Sequence, residues 1–211
     1  MTKVKICGIT DLEDARHAIE CGADLLGFNF YDRSPRYISQ GAAKDIIAKL
    51  KIESRAVGVF VNEKVDRVYD IAISTPINAI QLHGDESPEY VKRLNDWLGL
   101  EVIKALRTSD EFDPNGIEDY GDVSILLDAY SLSVYGGSGQ VADWEVSKRI
   151  VESGRMVYLA GGLTPENVAQ AIDVVRPYAV DVASGVESSP GKKDPVKVAE
   201  FIDAVRRSAI S

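Results

Sequence analysis

Histidine, cysteine, methionine and tryptophan each occur only twice in these 211 residues. Cys7 and Cys21 form no CxxC pair, and His17 and His83 are the only histidines. That inventory excludes a structural zinc site, and no metal is expected. Positive charge is also short, with 24 Lys and Arg against 33 Asp and Glu for a net charge of -9. Such a chain repels nucleic-acid phosphates, and no basic stripe offsets the repulsion. No apolar run approaches the roughly 18 residues of a membrane span. The opening residues Met1-Thr2-Lys3-Val4-Lys5 lack the apolar core of a secretion signal. No low-complexity linker divides the chain. These absences together imply a reduced, cytoplasmic protein with no nucleic-acid or membrane partner, expected to be a monomer and organised as one domain over residues 1–211.

Apolar residues at 45% and charged residues at 27% suit a globular core that needs no disulfide. Short β-branched runs recur eight times, at 4–7, 24–30, 56–61, 79–83, 102–106, 124–128, 157–160 and 180–183. Amphipathic stretches separate them, at 12–21, 42–50, 65–73, 89–98, 144–152, 166–175 and 196–207, with the helical pattern weakest over 110–120. Thr10-Asp11-Leu12-Glu13 reads as a capping box, and Ser87-Pro88, Thr164-Pro165 and Asp194-Pro195 each place a capping side chain before a proline at the first helical position. Strand-then-helix alternation calls for parallel strands joined by crossovers. Eight such units predict an α/β fold, a single (β/α)₈ TIM barrel, with an open doubly wound sheet as the rival.

In a barrel of this kind active sites form where strands end and the following loops begin. Several strand ends here are polar: Cys7 on the first, Gln81 and His83 on the fourth, Asp128 on the sixth, Asp181 on the eighth. Period-2 alternation puts Lys5 and Cys7 on one face, against Val4 and Ile6 on the other. Lys5 and Asp181 could pair with each other inside the barrel or meet a substrate, and a strand cysteine is often plain packing. Cys21 reads as core filler. Two glycine loops are more specific. Ala160-Gly161-Gly162-Leu163 follows strand seven, and Ala183-Ser184-Gly185-Val186-Glu187 follows strand eight. Barrels commonly bind phosphate with the backbone N–H groups of these two loops. A third cluster, Tyr135-Gly136-Gly137-Ser138-Gly139, reads as a closing lid. Arg36, in the loop after strand two, could clamp a carboxylate. The residues alone therefore point to acid–base chemistry on a small phosphorylated molecule.

Taken in order along the chain, these segments resemble the phosphoribosylanthranilate isomerases. The resemblance is carried by Lys5-Ile6-Cys7-Gly8-Ile9-Thr10, Gly27-Phe28, Ser34-Pro35-Arg36-Tyr37, Gln81-Leu82-His83-Gly84, Leu127-Asp128, Ala160-Gly161-Gly162-Leu163, Asp181-Val182-Ala183-Ser184-Gly185-Val186-Glu187 and Pro190-Gly191-Lys192-Lys193-Asp194. It implies that Cys7 is a general base and Asp128 a general acid in an Amadori rearrangement. It also implies that Arg36 meets the anthranilate carboxylate and that His83, Asp181 and Lys5 belong to the substrate pocket. Gly161, Gly162, Ser184 and Gly185 would hold the phosphate, and no cofactor is implied. Three rivals are weighed. A related histidine-pathway isomerase would use two aspartates, which Cys7 argues against. A metal-dependent epimerase would need more histidine ligands. A non-catalytic barrel would bind the phosphorylated ligand without turnover.

Overall fold

In the computed structural model the described residues are 1–108, 113–129 and 144–208. Eight parallel strands close into a barrel in chain order: β1 (Lys3–Cys7), β2 (Leu25–Asn29), β3 (Ala56–Phe60), β4 (Ala79–Leu82), β5 (Glu101–Thr108), β6 (Ser124–Ala129), β7 (Val157–Ala160) and β8 (Ala179–Val182). Helices α1 (Leu12–Glu20), α2 (Gln40–Leu50), α3 (Val65–Ser74), α4 (Pro88–Leu98), α5 (Trp144–Glu152), α6 (Val168–Val175) and α7 (Pro195–Ser208) follow strands in turn. After β5 the chain forms a 3₁₀ helix at Pro114–Tyr120 rather than an α-helix, where the sequence pattern was weakest. The expected barrel is thus the observed one.

Its strands are buried on both faces because each serves two cores. Outward-facing Ile6, Leu26, Ile80 and Leu127 pack beneath the helices. Inward-facing Leu25, Val57, Ile103, Leu126 and Tyr158 fill the barrel axis. The alternation that separates the cores also places Lys5 and Cys7 inside, since Val4 and Ile6 belong to the outer cluster. The ring closes by pairing β1 with β8, with Lys5 directly opposite Asp181.

Two helix starts differ from expectation. Asp11, not Thr10, caps α1, its side chain accepting from the Asp14 N–H at 2.9 Å. Thr10 is drawn away because its hydroxyl donates to the Gly191 carbonyl at 2.6 Å. Thr164-Pro165 opens a turn, and α6 begins only at Val168. There Asn167 braces the loop, accepting from the Thr164 N–H and donating to the Gly162 carbonyl. Ser87 and Asp194 cap as expected, through the N–H groups of Tyr90 and of Val196 and Lys197. The expected lid at 135–139 lies outside the described residues.

One element had no sequence signal. Beyond a 3₁₀ turn at Ser184–Val186, strands β9 (Glu187–Ser189) and β10 (Lys192–Lys193) form a small antiparallel hairpin. It clasps the start of the chain. The Lys193 N–H donates to Asp14 at 2.8 Å, and the Lys192 ammonium meets both Asp11 and Asp14.

Candidate active site

The C-terminal ends of the strands surround a cavity of about 290 Å³. Cys7, Arg36, His83, Asp128, Asp181, Gly161, Gly162, Ser184 and Gly185 all line it. Lys5 does not line it. Its fully buried ammonium lies one layer down, 2.9 Å from Asp181. Lys5 thus forms the interior ion pair that was one of its two readings, and the carboxylate of that pair faces the cavity.

Cys7 sits in a nest of cations. A Cβ at Gly27 would fall 2.8 Å from the Cys7 sulfur and 3.2 Å from the Lys5 ammonium, so only glycine leaves room for both. On the other side Lys193, almost fully buried, donates to the Cys7 carbonyl at 2.6 Å and pairs with Glu187 at 3.0 Å. Glu187 in turn holds Arg36 bidentately, accepting from Nε at 2.8 Å and from Nη2 at 2.7 Å. That planar fork fixes the guanidinium on the cavity wall.

These contacts set the charge states. Burial pushes the Cys7 thiol above its ordinary 9.0, since a thiolate out of water is costly. Lys5 and Lys193 pull it back, and Asp181 sides with burial. Burial would also lower Lys5, but Asp181 and Cys7 outweigh it and hold the ammonium above 10.5. Burial opposes the charge of Glu187 too, yet Arg36 and Lys193 keep its carboxyl below 4.5. Lys193 itself falls below 10.5, because burial exceeds the help it receives from Glu187. The resting cysteine is therefore a thiol, surrounded by groups that would favour its anion if one more positive charge arrived.

Asp128 stands across the cavity in a different setting. Its Oδ2 lies 3.3 Å from Nε2 of His83, and Nδ1 of the same ring lies 2.7 Å from the Gln81 amide nitrogen. Asp128 is paired in register with Arg107 of β5, a strand that runs two residues beyond the expected span. Behind it, Lys104 and Glu86 form a buried pair at 2.7 Å. Glu86 also accepts from the N–H groups of Gly84 and Asn62, which fixes the loop that carries His83.

The two glycine loops meet at the third wall. Gly161 and Gly162 take φ of 86° and 64°, a region open to glycine at little cost. A side chain at Gly185 would collide with the Leu163 carbonyl, so the loops touch backbone to backbone. Main chain without bulky side chains at a cavity edge lets N–H groups approach an anion.

Sequence reasoning did not single out Gln81, Glu187, Lys193 or Gly27 as functional. Gln81 and Gly27 differ in kind: Gln81 was visible as a polar strand end, while Gly27 matters only through the two atoms packed over it. Cys21 packs against the outer core as expected and lies 3.4 Å from His17. Among the described residues no group of three or more His, Cys, Asp or Glu side chains could hold a metal ion, and no helix is long and apolar enough to cross a membrane.

Comparison with known proteins follows the same lines. The family model for N-(5'-phosphoribosyl)anthranilate isomerase matches residues 4–204. The N-(5'-phosphoribosyl)anthranilate isomerase of Trichlorobacter lovleyi is 50% identical over 202 residues, covering 96% of this chain and 97% of that one. The crystal structure of phosphoribosyl anthranilate isomerase from Thermotoga maritima superposes with a TM-score of 0.87 at 45% identity, over 98% of this chain and 100% of that one. A further isomerase structure, in complex with reduced 1-(o-carboxyphenylamino)-1-deoxyribulose 5-phosphate, gives 0.82 at 42% identity with the same coverage.

Proposed function

Because the chain belongs to the N-(5'-phosphoribosyl)anthranilate isomerase family, we propose that this isomerase carries out the Amadori rearrangement of N-(5-phosphoribosyl)anthranilate to 1-(2-carboxyphenylamino)-1-deoxyribulose 5-phosphate, a step of tryptophan biosynthesis, with Cys7 as general base and Asp128 as general acid. The observation that carries this reading is the shared cavity: a thiol among cations and a carboxyl in contact with a histidine face each other beside two bare glycine loops.

The substrate phosphate takes the N–H groups around Gly161, Gly162, Ser184 and Gly185. Arg36 presents the edge of its guanidinium not used by Glu187 to the anthranilate carboxylate. Asp128 gives its proton to the furanose ring oxygen, the C1–O bond breaks, and the nitrogen lone pair completes a protonated Schiff base. That new positive charge is the one the Cys7 nest lacks. It favours the thiolate that burial had suppressed; the thiol proton passes through solvent to the Asp128 carboxylate, restoring the acid, and the sulfur then takes the proton from C2. The enolamine so formed gains a proton on C1 and loses the one on its C2 hydroxyl, giving the ketose. Substrate and product have the same number of protons, so acid and base return to their starting states. Asp181, fixed by Lys5, borders the reacting carbons and completes the wall.

A turnover assay tests this, following the loss of phosphoribosylanthranilate fluorescence. Cys7→Ser and Asp128→Asn should each lower kcat by about a hundredfold or more. Full activity in either variant would sink its assigned role. An inactive but ligand-binding wild type would favour the binding barrel instead.

A further inference from the structure

We infer that Gln81 is a positioning residue for the proton donor: its buried amide fixes His83 as the Nε2–H tautomer, so that His83 donates to Oδ2 of Asp128 and leaves Oδ1 to carry the transferred proton. The inference rests on the reading of Asp128 as the acid. Its geometry is independent of that reading.

Three side chains in a row have matched polarity. The Gln81 NH₂ faces Nδ1 at 2.7 Å, and Nε2 faces the Asp128 carboxyl at 3.3 Å. A donor at Nδ1 leaves that nitrogen bare in a neutral ring, so the ring's one proton sits on Nε2, where an acceptor waits. The charged groups that share a cavity with His83 are Asp128 from β6, Asp85 and Glu86 from its own loop, Lys104 and Arg107 from β5, and, across the main cavity, Arg36 and Asp181. Lys104 and Glu86 neutralise each other.

Burial makes the case sharper. Gln81 is 1% exposed on the inner face of the barrel, and its carbonyl oxygen has no hydrogen-bond partner among the described residues. A buried, unpaired carbonyl weakens a fold. Among the described residues, the one side-chain bond that Gln81 makes is to His83. A residue kept for packing alone would be better as an apolar side chain of the same shape. Gln81 therefore serves the ring above it. The benefit appears during proton transfer, because a hydrogen bond to a carboxylate is stronger than one to a carboxylic acid. His83 thus holds the Asp128 anion more tightly than the acid from which it formed.

The test combines ¹⁵N imidazole spectra with kinetics on the whole protein. The two rings, His17 and His83, are told apart with a His17→Gln variant. At about pH 8, where an ordinary histidine is neutral, His83 should carry its proton on Nε2. Gln81→Met should lose that bias and lower kcat about tenfold, with KM within about twofold and Tm unchanged or raised. Gln81→Glu, which can only accept from Nδ1, should move the proton to Nδ1 and lower kcat at least as far. A wild-type His83 protonated on Nδ1 would overturn the inference, as would wild-type kcat in Gln81→Met. Failure of the acid assignment would show separately, as an active Asp128→Asn variant beside an unchanged His83 tautomer.

Discussion

The two sides of the cavity solve opposite problems with different materials. On the β1–β8 side, Cys7 is ringed by full charges, with Lys5 paired to Asp181 and Lys193 and Arg36 paired to Glu187. On the β4–β6 side, Asp128 meets the partly buried ring of His83, which the Gln81 amide holds from its other edge. A buried thiol resists ionisation, so a base made from it needs cations nearby. An acid must keep its proton until it is used, so it is better served by dipoles than by a cation in contact. The difference teaches where stability and chemistry are joined. On the proposed roles, the charges around Cys7 both hold the barrel together and tune the sulfur, whereas Asp128 is served by groups that the fold could lose.

Three substitutions probe that division. Lys5→Met strands the Asp181 carboxylate inside the barrel and should cost about 3–5 kcal/mol in urea unfolding. Because Lys5 pulls the Cys7 thiol downward, its loss should also slow alkylation of Cys7 at a fixed neutral pH. An unchanged alkylation rate would remove Lys5 from the tuning of the base. Glu187→Gln comes next, at about 1–3 kcal/mol, since two cations lose their anion but keep an acceptor. Glu187 is held below 4.5 in the folded protein. Its contribution is therefore full above pH 4.5 and disappears as pH falls through the lower, folded value. Wild type and Glu187→Gln should differ in stability at pH 7 and converge in acid. A constant gap between them would break the argument. His83→Asn should be the mildest for the fold, under about 1 kcal/mol, because the ring borders the cavity and is 27% exposed. Its kcat should nevertheless fall about tenfold. A large loss of stability there would mean that the acid side is structural after all.

Much of this was readable beforehand, for definable reasons. Each strand is a short apolar run with punctuated ends, and the rule that chemistry gathers at the C-terminal ends of barrel strands led directly to Cys7, His83, Asp128 and Asp181. β5 was read too short because Arg107 and Thr108 are polar, and they pair with Asp128 and Ala129 only in the closed sheet. Thr10 was misread as a cap because its partner, Gly191, lies 181 residues away. The same distance hid the machinery behind Cys7 and Arg36. Lys193 reaches Cys7 across 186 positions, and Glu187 reaches Arg36 across 151. Periodicity is a local signal. It finds a strand end, but it is blind to what a ring closure brings beside it.

That closure bears on how the chain becomes active. The surroundings of Cys7 are drawn from β1, β2 and the hairpin that follows β8, so they exist only once the first and last barrel strands have met. An open intermediate, however well formed its middle strands, would carry Cys7 with Lys5 unpaired beside it and Lys193 not yet in place. During synthesis or refolding, catalysis should therefore switch on in one step, at the seam, and a partly assembled barrel would be chemically silent.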